Sequence, residues 1–191
     1  MTSALSMRAL AGALLLLAAM SASSLANAQT GILMTVQSAS GGGQWPGETT
    51  RGGSANSIPL KAWSYSVKFP VDERSGTPAG QRRYAPVSFD KLIGAASPNI
   101  LRAMLTNEPL NITVDVVGVG PSGTPVLLHR VTFSQARIIS VARNAASAVD
   151  SSGRISSAPE MTETITFGFR QVEFDPGRGS ATVMDELMTE G

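Results

Sequence analysis

The sequence predicts a mainly β protein, a compact β-barrel of two packed antiparallel sheets with one flanking α-helix. Several segments alternate apolar and polar residues with a period of two, as half-buried strands do. One segment has the apolar spacing of an amphipathic helix, and long loops rich in Gly, Ser, Thr and Pro separate the strands. The 191 residues include no cysteine, so core packing, with or without subunit contacts, must stabilise the fold without disulfides.

The first 28 residues have the pattern of a cleaved signal peptide. Arg8 supplies a positive charge, residues 10–20 are apolar or glycine, and an A-x-A cleavage pattern ends at Ala28. This apolar run is too short for a membrane-spanning helix, which needs about 20 residues. No cysteine precedes the cleavage position to accept a lipid. We therefore expect export to the periplasm or beyond, a mature chain that begins near Gln29, and no permanent membrane anchor.

Length and charge predict one neutral domain after cleavage. Removing 28 residues from 191 leaves 163, which is a usual size for a single domain, here residues 29–176 with a flexible tail at 177–191. Without Arg8 the mature chain has 14 basic and 14 acidic side chains. This balance gives no electrostatic footprint for nucleic acid, so we expect no nucleic-acid partner.

The first part of the mature chain predicts a short strand, a loop and a longer strand. Residues 32–36 are the short strand, and residues 38–57 form a long surface loop with a turn at Trp45. Residues 60–69 have the alternation of a half-buried strand. Its apolar positions are Trp63, Tyr65, Val67 and Phe69.

A second loop and the predicted helix follow. Residues 71–83 are polar and contain glycine and proline, and residues 84–89 form another short strand. Ser97 is a natural N-cap, and Pro98 suits the first helical position, where its missing N–H costs nothing. Asn107 ends the helix. Its predicted apolar face consists of Ile100, Leu101, Met104 and Leu105.

The last part of the chain predicts long strands that bend. Residues 111–116 alternate cleanly, and a glycine-rich turn leads into a partner strand at 126–143. That strand changes phase near residues 134–136, which indicates a bulge or a bend onto a second sheet. After a loop at 144–159, the strand at 163–174 changes phase near Arg170. Residues 183–188 could form a helical turn or two.

Four segments in this order resemble the hemolysin-coregulated protein (Hcp) family, the tube subunits of type VI secretion systems. They are residues 60–65 (LKAWSY), 87–91 (VSFDK), 96–101 (ASPNIL) and 163–169 (ETITFGF). The resemblance implies a two-sheet barrel with one helix and rings of six subunits that stack into a tube and hold secreted effectors in the lumen. It implies no enzyme activity and no cofactor. The loop at 71–83 matches an extended family loop that helps rings stack.

The sequence departs from this family at its N-terminus. Tube subunits assemble in the cytoplasm and leave through the secretion apparatus, so they carry no export signal. The glycine-rich stretch at 41–53 also makes the early part longer than the family pattern. A separately exported homologue fits both features.

Candidate site residues have plainer interpretations than catalysis or ligand binding. His129 is the one histidine and reads as a polar strand position, while Asp72, Glu73, Glu160 and Glu163 lack a calcium-loop spacing and read as solvated faces. We therefore predict no catalytic, cofactor-binding or metal-binding residues.

Basic and aromatic residues could instead contact a partner. Arg82 and Arg83, next to Tyr84, could touch an acidic partner or a neighbouring subunit, although loop solubility is the simpler explanation. Trp63 and Tyr65 could form a binding face, but alternating aromatic residues in a strand usually belong to the core.

Two further function hypotheses remain beside an exported ring-forming structural protein. One is a monomeric exported binding module that kept the barrel and lost the ring, with a pocket or loop surface for a small ligand or carbohydrate. The other is a hydrolase built from Asp, Glu, Ser and His129, to which no motif points. The native mass of the mature protein separates the first two hypotheses.

Overall fold

The computed structural model describes residues 30–49, 55–121, 123–147, 149–155, 158–177 and 181–187. The predicted signal peptide lies outside these residues. In chain order the elements are β1 (Gly31–Ser38), β2 (Ile58–Leu60), β3 (Ala62–Ser64), β4 (Val67–Lys68), β5 (Arg83–Tyr84), β6 (Val87–Leu92), α1 (Ser97–Thr106), β7 (Leu110–Val119), β8 (Pro125–Ala146), β9 (Glu160–Gly168), β10 (Gln171–Asp175) and β11 (Val183–Glu186).

The strands form two antiparallel sheets that share β8, as the predicted fold class requires. The strand order is β2-β1-β7-β8-β9-β6-β3, and β10 and β11 continue from the first half of β8. We call the sheet of β1, β2, β7, β10, β11 and the first half of β8 the first sheet. The second sheet contains β3, β6, β9 and the second half of β8. A separate two-stranded sheet pairs β4 with β5.

The predicted bend of the long strand is confirmed. β8 pairs with β7 and β10 up to Ala136, and from Arg137 onward it pairs with β9. Gln135 lies between the two parts with a φ of 54°, a left-handed conformation that is rare for residues other than glycine. The phase change in the sequence therefore marks the residue at which one strand passes from one sheet to the other.

The two sheets do not close into a continuous hydrogen-bonded barrel. The ends of the strand order, β2 and β3, are consecutive in the chain and meet at Lys61, whose backbone N–H donates to the Asp90 carbonyl at 2.7 Å. The covalent chain thus closes the side of the molecule opposite the bend in β8.

The core lies between the sheets and is centred on three phenylalanine rings. Phe89 and Phe167 have ring centroids 4.8 Å apart, and Phe133 meets Phe167 edge-on at 5.2 Å. Trp45 also joins this core and is 7% exposed, so the expectation that its loop lies wholly on the surface is wrong. The loop folds back because the Trp45 backbone N–H donates to the Val36 carbonyl at 2.9 Å.

The helix exists, but its predicted cap and buried face need correction. Ala96 occupies the N-cap position without a side-chain cap, and Ser97 is already helical. Ile100 and Ala103 are the deeply buried apolar residues, whereas Leu105 is 73% exposed. The buried face of the helix is narrower than the sequence pattern predicted, because the helix packs against β8 along a single line of residues.

Three other local predictions differ from the structure. The strand expected at 84–89 is divided between β5 and β6. The strand expected at 60–69 is broken into β2, β3 and β4, and Val67 and Phe69 at its end are exposed. The helical turn expected at 183–188 is a strand, because β11 pairs with β10 from Val183 to Glu186.

Candidate assembly surfaces

Three residues from the segments that carry the family resemblance meet in one buried ionic cluster. Lys91 is 1% exposed and Glu163 is fully buried, with Lys91 Nζ 3.2 Å from Glu163 Oε1. The Ser97 hydroxyl donates to the same Oε1 at 2.6 Å and accepts from Lys91 Nζ at 3.2 Å. The expectation that Glu163 lies on a solvated face is therefore wrong. It lies in phase with the core positions Ile165 and Phe167, which is the signal that could have placed it inside.

Further charged groups complete the cluster at its solvent side. Arg143 Nε lies 3.1 Å from Glu163 Oε2, and its Nη2 donates to the Ser97 carbonyl at 3.2 Å. Glu48 lies 3.6 Å from Lys91 Nζ. Within the part of the chain that the structure describes, every buried side-chain nitrogen or oxygen has a partner. The cluster joins the helix to the second sheet, and its hydroxyl is closed to solvent, so its role is structural.

One surface feature is a hairpin formed by residues 67–84, which we call the arm. Its strands pair at the base, with Val67 opposite Tyr84 and Lys68 opposite Arg83, and again at a single bridge nearer the tip. Large apolar side chains along its outgoing strand are open to solvent: Val67 is 44% exposed, Phe69 52% and Val71 58%. Exposed apolar residues that recur along one strand are typical of a surface that another molecule covers.

A tight turn shapes the tip of the arm. The Asp72 carboxylate accepts hydrogen bonds from the backbone N–H groups of Arg74 at 2.8 Å and Ser75 at 3.0 Å. These bonds, the one from Ser75 first, favour the ionised carboxylate and lower the pKa of Asp72. Gly76 follows with a φ of 68°, which glycine adopts without strain. Asp72 and Glu73 are exposed, as expected from the sequence.

The base of the arm is fastened to the C-terminal strand. Both Asp185 carboxylate oxygens contact the Arg82 guanidinium, and the Tyr84 hydroxyl donates to the same carboxylate. Arg82 thus does find an acidic partner, but within its own chain. A cleft of about 290 Å³ lies beside this contact, between the arm and β11, and Phe69 and Leu187 line it.

A second hairpin projects from the opposite end of the second sheet. Val149 and Ile155 face each other across it and are 60% and 72% exposed. The two ends of β9 lie near the two hairpins. Phe167 pairs with Val87, which follows the arm, and Glu160 at the other end of β9 adjoins the second hairpin. Seven residues of a strand separate the two ends by roughly 23 Å. The molecule therefore presents a different apolar projection at each end of one sheet.

The aromatic pair singled out in the sequence packs on the core as expected. Trp63 and Tyr65 stack with ring centroids 5.4 Å apart, and both meet Phe133 edge-on. Burial raises the pKa of the Tyr65 hydroxyl, and the neighbouring Tyr84 adds to the effect. These rings are half-buried rather than offered as a flat binding face.

The remaining candidates show no shared site. His129 lies in β8 opposite Val116, and its imidazole stacks on Phe174 with centroids 6.5 Å apart. Across the described ranges, His, Asp and Glu side chains do not gather in groups of three that could hold a metal ion. Among those same residues, no helix has the length and apolar character needed to cross a bilayer.

Comparisons with known proteins identify relatives of this chain. Residues 33–175 match the family model described as type VI secretion system effector, Hcp. The major exported protein of Pseudomonas aeruginosa strain PAO1 is 27% identical over 96 residues, which are 50% of this chain and 56% of that protein. The chain thus matches little more than half of that relative's length.

Solved structures share the fold over most of the chain. A crystal structure of an Hcp protein has a TM-score of 0.72 at 20% identity and covers 84% of this chain and 99% of its own. The Hcp1 protein from the E. coli EAEC 042 pathovar has a TM-score of 0.66 at 16% identity, covering 83% and 99%. The secreted protein Hcp3 from Pseudomonas aeruginosa has a TM-score of 0.62 at 15% identity, covering 84% and 100%.

Proposed function

Because the chain belongs to the Hcp family of type VI secretion effectors, we propose that it is an exported structural protein that forms rings of six subunits. Proteins of this family are self-assembling tube components, and the family is not one of enzymes. The observation that carries the proposal is the family fold over residues 33–175 with an exposed arm at one end.

The two ends of the second sheet support head-to-tail stacking of such rings. The arm exposes Phe69 and Val71 at one end, and the hairpin with Val149 and Ile155 projects from the other. Two different surfaces at opposite ends suit a heterologous contact, which repeats along an axis. We assign ring-to-ring contact to the arm, in line with the family loop that it matches.

The proposal also includes cargo binding in the ring lumen. The outer face of the first sheet carries a polar row in which Thr35, Thr113 and Thr132 are neighbours across three strands. A small cavity of about 80 Å³ on this face is lined by Thr35, Thr113, Gln44 and Asn111 among others. Neutral hydroxyl and amide groups suit a water-filled channel that holds a folded protein without binding it tightly.

Export through the N-terminal segment completes the proposal. The Hcp relatives are exported or secreted proteins, and the first 28 residues have a signal-peptide pattern. We infer that this homologue crosses the inner membrane separately and assembles in the periplasm or outside the cell.

Light scattering coupled to gel filtration tests the ring. The mature protein should elute as a species of about six subunits, and negative-stain images should show rings. A strict monomer across micromolar concentrations would overturn the ring and favour the monomeric binding module, for which the cleft of about 290 Å³ beside Phe69 is a candidate ligand site.

A matched pair of variants tests the arm. Phe69→Ser should shorten or abolish stacks and leave the mass of single rings unchanged, because Phe69 is exposed and does not support the core. Leu105→Ser removes an exposed apolar side chain from the helix, outside the arm, and should leave both rings and stacks intact. Deletion of residues 75–80 should act like Phe69→Ser. Stacks of normal length in both arm variants would show that another surface joins the rings.

A further inference from the structure

We propose that Asp185 is a positioning residue that lets β11 fix the direction in which the arm leaves the subunit. The effect on the arm is a property of the single chain. Its consequence, that this contact governs stacking, rests on the proposed function.

One carboxylate binds two residues at the base of the arm. Arg82 places Nε and Nη2 on the two oxygens of Asp185, which is the bidentate geometry that fixes direction as well as distance. The Tyr84 hydroxyl donates to one of the same oxygens, and the Tyr84 ring packs edge-on against Phe169 at 5.4 Å. The Asp185 side chain is 15% exposed, so solvent screens this contact less than an ordinary surface ion pair.

Little else holds the arm to the body. Apart from half-buried Pro70, residues 66–83 are exposed. Among the hydrogen bonds and ion pairs of the described residues, those that join the arm to the rest of the chain run from Arg82 and Tyr84 to Asp185. A two-stranded hairpin alone is at best marginally stable in water, and the cleft beside Phe69 leaves space into which it can swing.

β11 is anchored well enough to act as the fixed point. It pairs with β10 over four residues, from Gln171 opposite Glu186 to Phe174 opposite Val183. Just beyond it, the Leu187 backbone N–H donates to the Arg170 carbonyl at 2.7 Å, in the bend that precedes β10, and the Leu187 side chain packs against the core. Asp185 therefore moves with the sheet, and the arm is held through it.

Spin-label distances test the positioning directly, because the chain contains no cysteine that would compete for the label. Labels at Glu73→Cys on the arm tip and Leu105→Cys on the helix, diluted with unlabelled protein, should give a narrow distance distribution. Asp185→Asn should broaden it and shift its mean. Arg82→Gln, which removes the other partner of the contact, should have the same effect. Glu186→Gln is the control: it removes an exposed carboxylate from β11 and should change neither the width nor the mean of the distribution.

The outcomes separate the inference from the proposed function. If Asp185→Asn and Arg82→Gln both give the wild-type distribution, Asp185 does not position the arm. If both broaden it and shorten the stacks while rings keep their mass, the inference and its consequence hold. If both broaden it but the wild-type protein never stacks, the positioning role stands and the stacking function fails. Exchanging the charges, with Arg82→Asp and Asp185→Arg together, should narrow the distribution again.

Discussion

Replacing Glu163 by glutamine tests the buried ionic cluster. The substitution keeps the size of the side chain and removes its charge. Lys91 is 1% exposed, so it would then keep a buried positive charge whose nearer carboxylate, at 3.2 Å, is gone and whose remaining one is the more exposed Glu48 at 3.6 Å. Arg143 would lose its partner oxygen at 3.1 Å as well. Removing one partner of a buried ion pair is costly because the remaining charge stays desolvated.

The expected loss in free energy of unfolding is about 3–5 kcal/mol. For a domain of this length each kcal/mol lowers Tm by roughly 2–4 °C, so Glu163→Gln should melt roughly 10 °C below the wild type. Differential scanning calorimetry at one fixed protein concentration measures this, since assembly makes Tm depend on concentration. The net contribution of the ion pair to stability is smaller than this loss. Replacing both Lys91 and Glu163 by apolar residues of similar size should therefore lower stability far less than either single change.

Glu160→Gln is the matched control. Glu160 lies on the same strand and pairs with Lys61, but its side chain is 55% exposed. An exposed pair contributes at most about 1 kcal/mol, so this variant should melt close to the wild type. Equal melting temperatures for the two variants would refute the argument, because they would show that burial of Glu163 adds nothing to the cost of removing its charge.

Three other predictions concern export, the helix and the arm tip. Protein purified from the periplasm or medium should begin at Gln29 or a close neighbour by mass spectrometry, and an intact N-terminus on cytoplasmic protein would contradict the signal peptide. Ile100→Ala should lower stability by about 2–5 kcal/mol in denaturant unfolding because Ile100 is 2% exposed, whereas Leu105→Ala should have little effect. NMR titration should give Asp72 a pKa below its ordinary value. The stability that the turn contributes is then present above the pKa of the unfolded state and disappears as pH falls through the pKa of the folded state. An ordinary pKa would show that the turn is not formed.

Periodicity predicted those parts of the fold in which one side of a strand faces the core. β7 alternates buried and half-exposed residues from Leu110 to Asp115, and the sequence shows the same alternation. The change of phase near Gln135 correctly indicated the bend, because β8 has one extra residue there relative to β7, which shifts its inward-pointing positions by one. The family resemblance added the oligomeric proposal, which no pattern of burial contains.

The charged core could be predicted only in part. Lys91 is in phase with Val87 and Phe89, and Glu163 is in phase with Ile165 and Phe167, so alternation alone places both inside. Lysine and glutamate side chains are rarely buried unless each has a partner of opposite charge, and here the two partners lie 72 residues apart in the chain. Pairing of that kind depends on which strands become neighbours.

The arm and β11 depended on long-range contacts that leave no local signal. Val67 and Phe69 continue the alternation of Trp63 and Tyr65, yet the chain has already left the sheet where they lie. Val183 begins a strand because β10 offers it an open edge. Neither outcome is decided by neighbours in sequence.

β8 also has a consequence for how the molecule unfolds. Its 22 residues supply hydrogen bonds to both sheets, so neither sheet can lose that strand without breaking the other's ladder. Two sheets joined in this way should open as one cooperative unit. Amide hydrogens in β7 and in β9 should therefore exchange with solvent through the same global event, although the two strands belong to different sheets.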